Sequence, residues 1–408
     1  MTQLCAPVKQ LLSSDKVELV ETPDKIIYQQ GRARYVDVDW KTAVLPEGDV
    51  IVSYHNFEET PNLEAILKIL QMKHPKPKFY KIATMARSIV DSLRMLEFLQ
   101  RHPGIIGLCM GDLGAVTRIC APIFQVPMMY APLVEEDKNA PGQLLVDQLC
   151  EIYQFRALNT ETKIYGLIGD PVFRSIGHLF HNDAFRKAEK NAVYLKMVVK
   201  SDELDEFFRL AKKLPFAGLS VTAPLKEAVL EYVDVLHPEA KAIGAVNTLT
   251  FKDGKVYGTN TDGDAAVDVL GNVKNKTVVV LGAGGSARAI GFVAKKRGAK
   301  VVIVNRTSSK AEVLARDLGC QWSSKIPSYD ILVNATTSPM PVLAEDIQEG
   351  KQVMDIALYE TEFLKAARKK NCSCLDGFPM YFQQAFAQQA MWGLEESHKW
   401  LFQTFLEQ

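Results

Sequence analysis

Read only for hydrophobic and polar positions, the chain alternates short apolar runs with longer amphipathic ones. In the first 135 residues, "RYVDVDW", "DVIVSYHNF", "FYKIATMA", "GIIGLCMG" and "PMMYAPL" have the length and the β-branched or aromatic content of strands. Between them, "NLEAILKILQM" and "SIVDSLRMLEFLQ" repeat apolar residues at helical spacing. This alternation is the rhythm of parallel-sheet proteins, and five strands with helices between them predict much of a (β/α)8 barrel. The stretch "QFRALNTETKI", residues 154–164, is polar and unpatterned and predicts a linker. A second α/β region runs from "KIYGLIGDPV" to "GAVNTLTF", and a third begins at "KTVVVLGAGGSARAIG". There is no internal repeat, low-complexity tract or coiled-coil heptad.

Composition narrows the functional classes. A chain of 408 residues exceeds one ordinary domain and predicts two or three, and a hydrophobic fraction of 47% can fill their cores. Lys+Arg and Asp+Glu balance at 48 each, so no global field recruits nucleic acid or an anionic membrane, and a binder of small molecules fits better. The seven cysteines form no CxxC pair and no metal-finger spacing, and an odd count argues against a secreted disulfide framework. No metal site is expected. No apolar run approaches the ~20 residues that span a bilayer, and Asp15, Glu18, Glu21 and Asp24 disfavour a signal or transit peptide. The expectation is a cytoplasmic protein. Oligomeric state has no signature here.

Candidate chemistry begins in the third region. "VVVLGAGGSARA" reads as a strand, then Gly282, Ala283, Gly284, Gly285 and Ser286, then Ala287 opening a helix. A lone GxGxxA is an ordinary glycine turn in most chains. Here a strand precedes it, a helix follows, and a second strand, "AKVVIVNRT", comes next, as in dinucleotide-binding folds. Such glycines let backbone amides approach a pyrophosphate at the helix N-terminus. Where an NAD enzyme offers Asp or Glu to the ribose, this chain offers Asn305, Arg306 and Thr307, with Lys310 one turn on. A cation suits a 2′-phosphate that a carboxylate would repel, so NADP is the expected cofactor.

Two lysines stand out elsewhere. "GLSVTAPLKE" places Lys226 just past Pro224, and the stretch beginning "GAVNTLTF" carries Asn247 and Asp262. Separately these read as a surface lysine, a turn asparagine and an N-cap aspartate. Together, a Lys and an Asp meeting in a cleft would handle the proton that accompanies hydride transfer at a carbonyl. In "FYKIATMA", Lys81 sits inside an apolar strand. A strand lysine ordinarily lies on a solvated edge or snorkels, whereas a desolvated one has an amine able to form a Schiff base.

From residue 164 to about 400 the chain resembles shikimate dehydrogenase, through "IGDPVFRS", "HLFHNDAF", "SVTAPLK", "IGAVNTL", "GTNTDG", "GAGGSARA", "NRT", "DILVNAT" and "DGFPMYFQQA". The resemblance implies reduction of 3-dehydroshikimate with NADPH by a Lys and Asp pair that falls on Lys226 and Asp262. It puts substrate contacts on Ser175, Thr222, Asn247, Gln384 and, in the shortened segment "DIALYETEFL", Tyr359. Cofactor contacts fall on Gly282 to Ala287, on Asn305, Arg306 and Thr307, and on Gly377. One departure is "FRSIGHLFHN", where Gly177 and His178 replace the family's second serine and proline. It raises the expectation of weakened shikimate binding with side activity on quinate.

The first region resembles type I 3-dehydroquinate dehydratase. "VIVSYHNFEETP" matches the strand of the catalytic histidine, His55, and "FYKIATMA" that of the Schiff-base lysine, Lys81. "MGDLGAVTR" and "APGQ" match the substrate-binding Arg118 and Gln143. The family's two opening strands, with their "E-x-R-x-D" and "T-x-R" patterns, are absent. Residues 1–33 are too few for two strands and two helices, and Asn139 stands where a serine is usual before "APGQ". The expected architecture is therefore α/β: an incomplete (β/α)8 barrel over 1–155, a substrate-binding domain over 163–265, a Rossmann NADP-binding domain over 266–375, and C-terminal helices over 376–408 that return to the substrate domain. Three functions compete: a bifunctional dehydratase and reductase, a reductase alone with the barrel as remnant or docking surface, and a noncatalytic nucleotide-binding regulator. Retention of both Lys226 and Asp262 disfavours the third.

Overall fold

The computed structural model describes residues 9–12, 17–20, 35–138 and 140–394. The expectations about Asn139, about most of residues 1–33 and about the helices beyond residue 394 lie outside the described residues. The chain divides into two compact units, Met1–Ala217 and Gly218–Gln408.

Unit one begins with strands β1 (Lys9–Leu12) and β2 (Val17–Val20), followed by β3 (Tyr35–Asp39), β4 (Asp49–Asn56), α1 (Leu63–Lys73), β5 (Phe79–Met85), α2 (Ile89–Arg101), β6 (Ile106–Met110), α3 (Ala115–Ile119) and β7 (Met129–Ala131). Strands β3, β4, β5 and β6 form one parallel sheet in that order. Both long helices start where the sequence supplies a cap. Asn62 Oδ1 accepts from Ala65 N at 3.1 Å, and Asp91 Oδ2 accepts from Ser88 N at 3.2 Å. The central strand β4 buries Val50, Ile51, Val52 and Ser53 in succession, as a strand covered on both faces must.

The fifth expected strand departs from the barrel pattern. β7 is only three residues long, and β1 pairs with it antiparallel in the register Gln10↔Ala131, Leu11↔Tyr130 and Leu12↔Met129. With β2 beside β1, these strands make a separate three-stranded sheet. Among the described residues the strands do not close.

The expected linker is folded. Phe155, Leu158 and Thr162 are buried, and Thr162 Oγ1 donates to Asn191 Oδ1 at 2.5 Å. Its polar residues pair locally, which hid the three inward-facing positions. Beyond it run β8 (Lys163–Gly169), α4 (Gly177–Lys187), β9 (Ala192–Val198), parallel to β8, and α5 (Leu204–Ala211). Helix α5 packs on α2, with Arg94 Nη2 3.1 Å from Glu206 Oε1. Lys213, just past α5, adds a pair with Glu97 at 2.6 Å.

The division between the units falls within β10 (Phe216–Val221). Unit two continues with α6 (Leu225–Ala228), β11 (Val235–Leu236), α7 (Pro238–Ile243), β12 (Thr248–Lys252), β13 (Lys255–Thr259) and α8 (Asp262–Leu270). β12 is antiparallel to both β10 and β13. The β12–β13 hairpin turns at Asp253 and Gly254, with φ of 52° and 72°, the two positive angles that an Asp-Gly pair supplies readily.

The rest of unit two is β14 (Thr277–Leu281), α9 (Gly285–Lys296), β15 (Lys300–Val304), α10 (Ser308–Leu318), β16 (Gln321–Ser323), β17 (Ile331–Asn334), β18 (Gln352–Asp355), α11 (Glu362–Lys369), β19 (Ser373–Leu375) and α12 (Gly377–Met391). The strands form one all-parallel sheet, ordered β16-β15-β14-β17-β18-β19, which is the doubly wound Rossmann order. Strand alternation puts Val278 and Val280 into one core and Val279 and Leu281 into the other, so the apolar run "TVVVL" is explained by two covered faces. The strand order reverses at β14, and the glycine loop leaves the sheet there.

Candidate active sites

In unit two, the turn after β10 leads through Thr222 and Pro224 into α6. There Leu225 is fully buried and the Lys226 carbonyl accepts from Val246 N at 2.7 Å, which aims the lysine side chain. Lys226 Nζ donates to Asp262 Oδ2 at 2.6 Å and to Ser286 Oγ at 2.8 Å. The two side chains are 12% and 6% exposed, so the pair is shielded but reachable. Asp262 Oδ1 accepts from Asn247 Nδ2 at 2.8 Å, and that amide also contacts Thr261 Oγ1 at 2.8 Å and Gln384 Oε1 at 3.4 Å. An ammonium has three N–H groups, and two are engaged here. The third is available to an acceptor oxygen on a ligand.

The sequence-predicted Lys226, Asp262, Asn247 and Gln384 therefore meet. Thr222 lies at the start of the same turn, its carbonyl accepting from Leu225 N at 3.0 Å. Two members escaped sequence reasoning. Thr261 N donates to Asn247 Oδ1 at 2.9 Å, and Gln388 bridges Asn247 O at 3.1 Å to Ser220 Oγ at 2.7 Å. Gln388 lies one helical turn beyond Gln384, a spacing that puts both on one face and was readable in "YFQQAFAQQA".

The glycine loop fits a nucleotide. Gly282 has φ +114°, and a side chain there would meet Thr336 and Ala335 at 3.1 and 3.2 Å. At Gly284 a Cβ would meet nothing within 4 Å. That open approach lies at the N-terminus of α9, where unpaired amides attract anionic groups. After β15, Asn305 Nδ2 donates to Thr307 O at 3.0 Å, while Arg306, Thr307 and Lys310 are exposed. The absence of a carboxylate at this strand end suits a 2′-phosphate. A Cβ on Gly377 would run into the carbonyls of Ile356 and Ala357, so no side chain fits there. Tyr359, on the loop after β18, is 38% exposed.

In unit one, Ser175 Oγ accepts from Gly177 N at 3.1 Å at the start of α4. Position 177 is crowded: a Cβ would meet Ser175 Oγ at 3.1 Å and the Tyr194 ring at 3.3 Å. His178 packs beside Tyr153, ring centroids 6.3 Å apart, and its Nδ1 is buried with no hydrogen-bond partner among the described residues. Burial, helped by the Lys196 charge, pushes His178 down to about 4, and burial alone pushes His181 to about 3.

Lys81, also in unit one, is neither on a solvated edge nor snorkelling. It is 5% exposed, and its Nζ lies 2.5 Å from Asp37 Oδ2 and 4.7 Å from the centroid of the Tyr130 ring. Asp37 also accepts from Tyr130 Oη at 3.2 Å and from Ser53 Oγ. Asp37, Ser53 and Tyr130 were not foreseen, because the acid lies 44 residues from the lysine and only the sheet joins them. Ser53 pairs with Lys81 across the ladder, so His55, two residues on, shares that face. His55 is exposed and stacks on Phe57 at 6.0 Å. Arg118 is buried on α3, with Nε and Nη1 lacking partners among the described residues, and burial lowers it to about 10. Gln143 is buried, and its Oε1 accepts from Ala140 N at 3.3 Å.

A parallel doubly wound sheet with a glycine loop at its switch point, and a buried Lys–Asp pair against that loop, defines a Rossmann-type oxidoreductase module. Comparison with known proteins agrees and extends this to the whole chain. The model of type I 3-dehydroquinase matches residues 14–160, that of the shikimate dehydrogenase substrate binding domain matches 167–249, and that of shikimate/quinate 5-dehydrogenase matches 264–358. The shikimate biosynthesis protein AroDE of Chlamydia pneumoniae is 34% identical over 362 residues, covering 85% of this chain and 74% of that protein. The chloroplastic bifunctional 3-dehydroquinate dehydratase/shikimate dehydrogenase of Arabidopsis thaliana is also 34% identical, over 83% of this chain and 62% of its own length. Among solved structures, shikimate dehydrogenase from Aquifex aeolicus superposes with a TM-score of 0.56 at 35% identity, over 59% of this chain and 99% of that one. The chain belongs to the family of fused type I 3-dehydroquinases and shikimate dehydrogenases.

Proposed function

We propose that this chain is a shikimate-pathway enzyme whose C-terminal part reduces 3-dehydroshikimate to shikimate with NADP as cofactor. The observation that carries the reading is the Lys226–Asp262 pair, 2.6 Å apart and hydrogen-bonded to Ser286 of the glycine loop. Bound NADPH supplies a hydride. Lys226 gives a proton to the oxygen that becomes a hydroxyl, Asp262 holds the ammonium in line, and Asn247 holds the carboxylate through its other oxygen. Thr222, Gln384, Tyr359 and Ser175 are the substrate contacts in this reading. The loop Gly282–Ala287, with Asn305, Arg306, Thr307, Lys310 and Gly377, holds the nucleotide.

The N-terminal part corresponds to a 3-dehydroquinate dehydratase on an incomplete (β/α)8 barrel. Lys81 adds to the substrate ketone and the adduct loses water to give an iminium, His55 removes the proton made acidic next to it, a second water leaves, and hydrolysis of the product iminium takes one water back and frees Lys81. Arg118 and Gln143 are the substrate contacts. The domain boundaries in this reading are 1–155, 163–265, 266–375 and 376–408. A second reading, reductase alone, is favoured by one observation: Lys81 is held by Asp37 in a buried pair, whereas a nucleophile must be a neutral amine. Separate assays decide. Turnover of dehydroshikimate with NADPH is expected, and its absence would overturn the reductase. A borohydride-trapped dehydroquinate adduct on Lys81, read by mass spectrometry, supports the dehydratase; no adduct leaves the reductase alone.

A further inference from the structure

The GxGxxA fingerprint accounts for Gly282, Gly284 and Ala287 but leaves Gly285 and Ser286 without a reason. The space around each glycine separates their roles. Gly282 needs its positive φ, and Gly284 opens onto free space. Gly285 differs from both. A Cβ there would lie 2.7 Å from Lys226 Cβ and 3.1 Å from Lys226 Cδ, too close for any real side chain. The stem of the lysine thus lies directly on the first turn of α9. One residue further, Ser286 Oγ takes a hydrogen bond from the lysine's Nζ at 2.8 Å.

We propose that Gly285 and Ser286 are positioning residues for Lys226, the glycine giving its stem room to cross the loop and the serine fixing its ammonium beside Asp262. The inference rests on the reading of Lys226 as the reductase's proton donor. A helix N-terminus carries partial positive charge and repels an ammonium, and a free lysine side chain has rotamer entropy to gain by swinging into water. Acceptors must oppose both. Asp262 Oδ2 and Ser286 Oγ do so, and by taking two N–H groups they direct the third. When that proton passes to the substrate oxygen, the serine hydroxyl can rotate and donate to the neutral amine, since it is donor and acceptor alike. The loop that receives the nucleotide therefore also sets the proton donor.

The test uses the full chain carrying Ser286→Ala, Ser286→Thr or Gly285→Ala, with folding checked by circular dichroism. Misplacing a donor by a fraction of an ångström costs on the order of 10- to 100-fold, so Ser286→Ala and Gly285→Ala should each lower kcat for dehydroshikimate by about that factor. NADPH Kd, read from nucleotide fluorescence without turnover, should stay within about threefold, because the loop holds the nucleotide through backbone amides that these substitutions keep, and Ser286→Thr should recover most of kcat. Three results would overturn the proposal: an unchanged kcat in Ser286→Ala, no recovery with threonine, or a rise in NADPH Kd of about tenfold or more in either alanine variant, which would assign these residues to the nucleotide. Absence of turnover in the unmutated chain would instead overturn the reading beneath it.

Discussion

Each unit holds a lysine against an aspartate at nearly the same distance, 2.5 Å for Lys81–Asp37 and 2.6 Å for Lys226–Asp262. Their surroundings differ. Lys81 is sealed under the Tyr130 ring, and Asp37 is further satisfied by Tyr130 and Ser53. Lys226 keeps twice the exposure and also donates to a serine on an open glycine loop, while Asp262 is held by the amide of Asn247. The first pair is covered by an aromatic ring, whereas the second borders a loop built for a nucleotide. Distance alone therefore says little about what a buried lysine does; its third neighbour decides.

The sharpest way to break this comparison is to remove each lysine in turn. Lys226→Ala should lower reductive kcat by ~100- to 10,000-fold with folding intact, as expected for a transition-state proton donor, while Lys81→Ala leaves that kcat unaltered. Equal losses in steady-state assays would show that the two pairs are not independent. Next in size is Asp37→Ala, which strands a buried ammonium and should destabilise unit one by about 3–5 kcal/mol in urea unfolding. Adding Lys81→Met to it should restore most of that loss, and a double variant no more stable than the single one would refute the buried-pair account.

Acid should separate the units as well. His178 and His181 have folded-state values of about 4 and 3, below the ordinary 6.5. Between 6.5 and about 4 the unfolded chain binds more protons than the folded one, so their contribution is complete above 6.5 and is lost as pH falls, by up to about 1.4 kcal/mol per pH unit for each histidine. Melting at pH 7 and pH 5 should show this slope, and His181→Phe should flatten it. An unchanged slope would mean that other groups govern acid unfolding.

Smaller effects test the nucleotide and substrate ends. Arg306→Ala should raise the KM for NADPH about tenfold and leave that for NADH alone, since an exposed guanidinium contributes at the low end of a charged hydrogen bond. Equal use of both nucleotides by the unmutated chain would refute the 2′-phosphate assignment. Gly177→Ser is the mildest. Restoring the family's hydroxyl would by itself lower the KM for shikimate several-fold, but a side chain there meets Ser175 Oγ and Tyr194 within 3.3 Å. With that crowding the gain should shrink to about twofold or less. A large fall in KM would show that Tyr194 yields easily.

Much of this protein was readable before any coordinates. Short apolar runs rich in β-branched residues marked the strands because both faces of these sheets are covered, and period-3.6 runs marked the helices of the crossovers. "VVVLGAGGSARA" announced its loop because glycine is required where φ is positive or space is short. Lys226, Asp262, Asn247 and Gln384 were legible because each sits in a distinctive local motif. What local pattern could not carry was pairing. That Lys81 meets Asp37 depends on the order and register of β3, β4 and β5, and that β7 joins β1 depends on which edge is open. The linker's burial and the seating of Lys226 on Gly285 likewise rest on residues far apart in the chain. Local sequence determines backbone propensity and which residue types are on hand. Only tertiary packing decides which charges share a site and how dry it is, because those are set by long-range contacts that no short window contains.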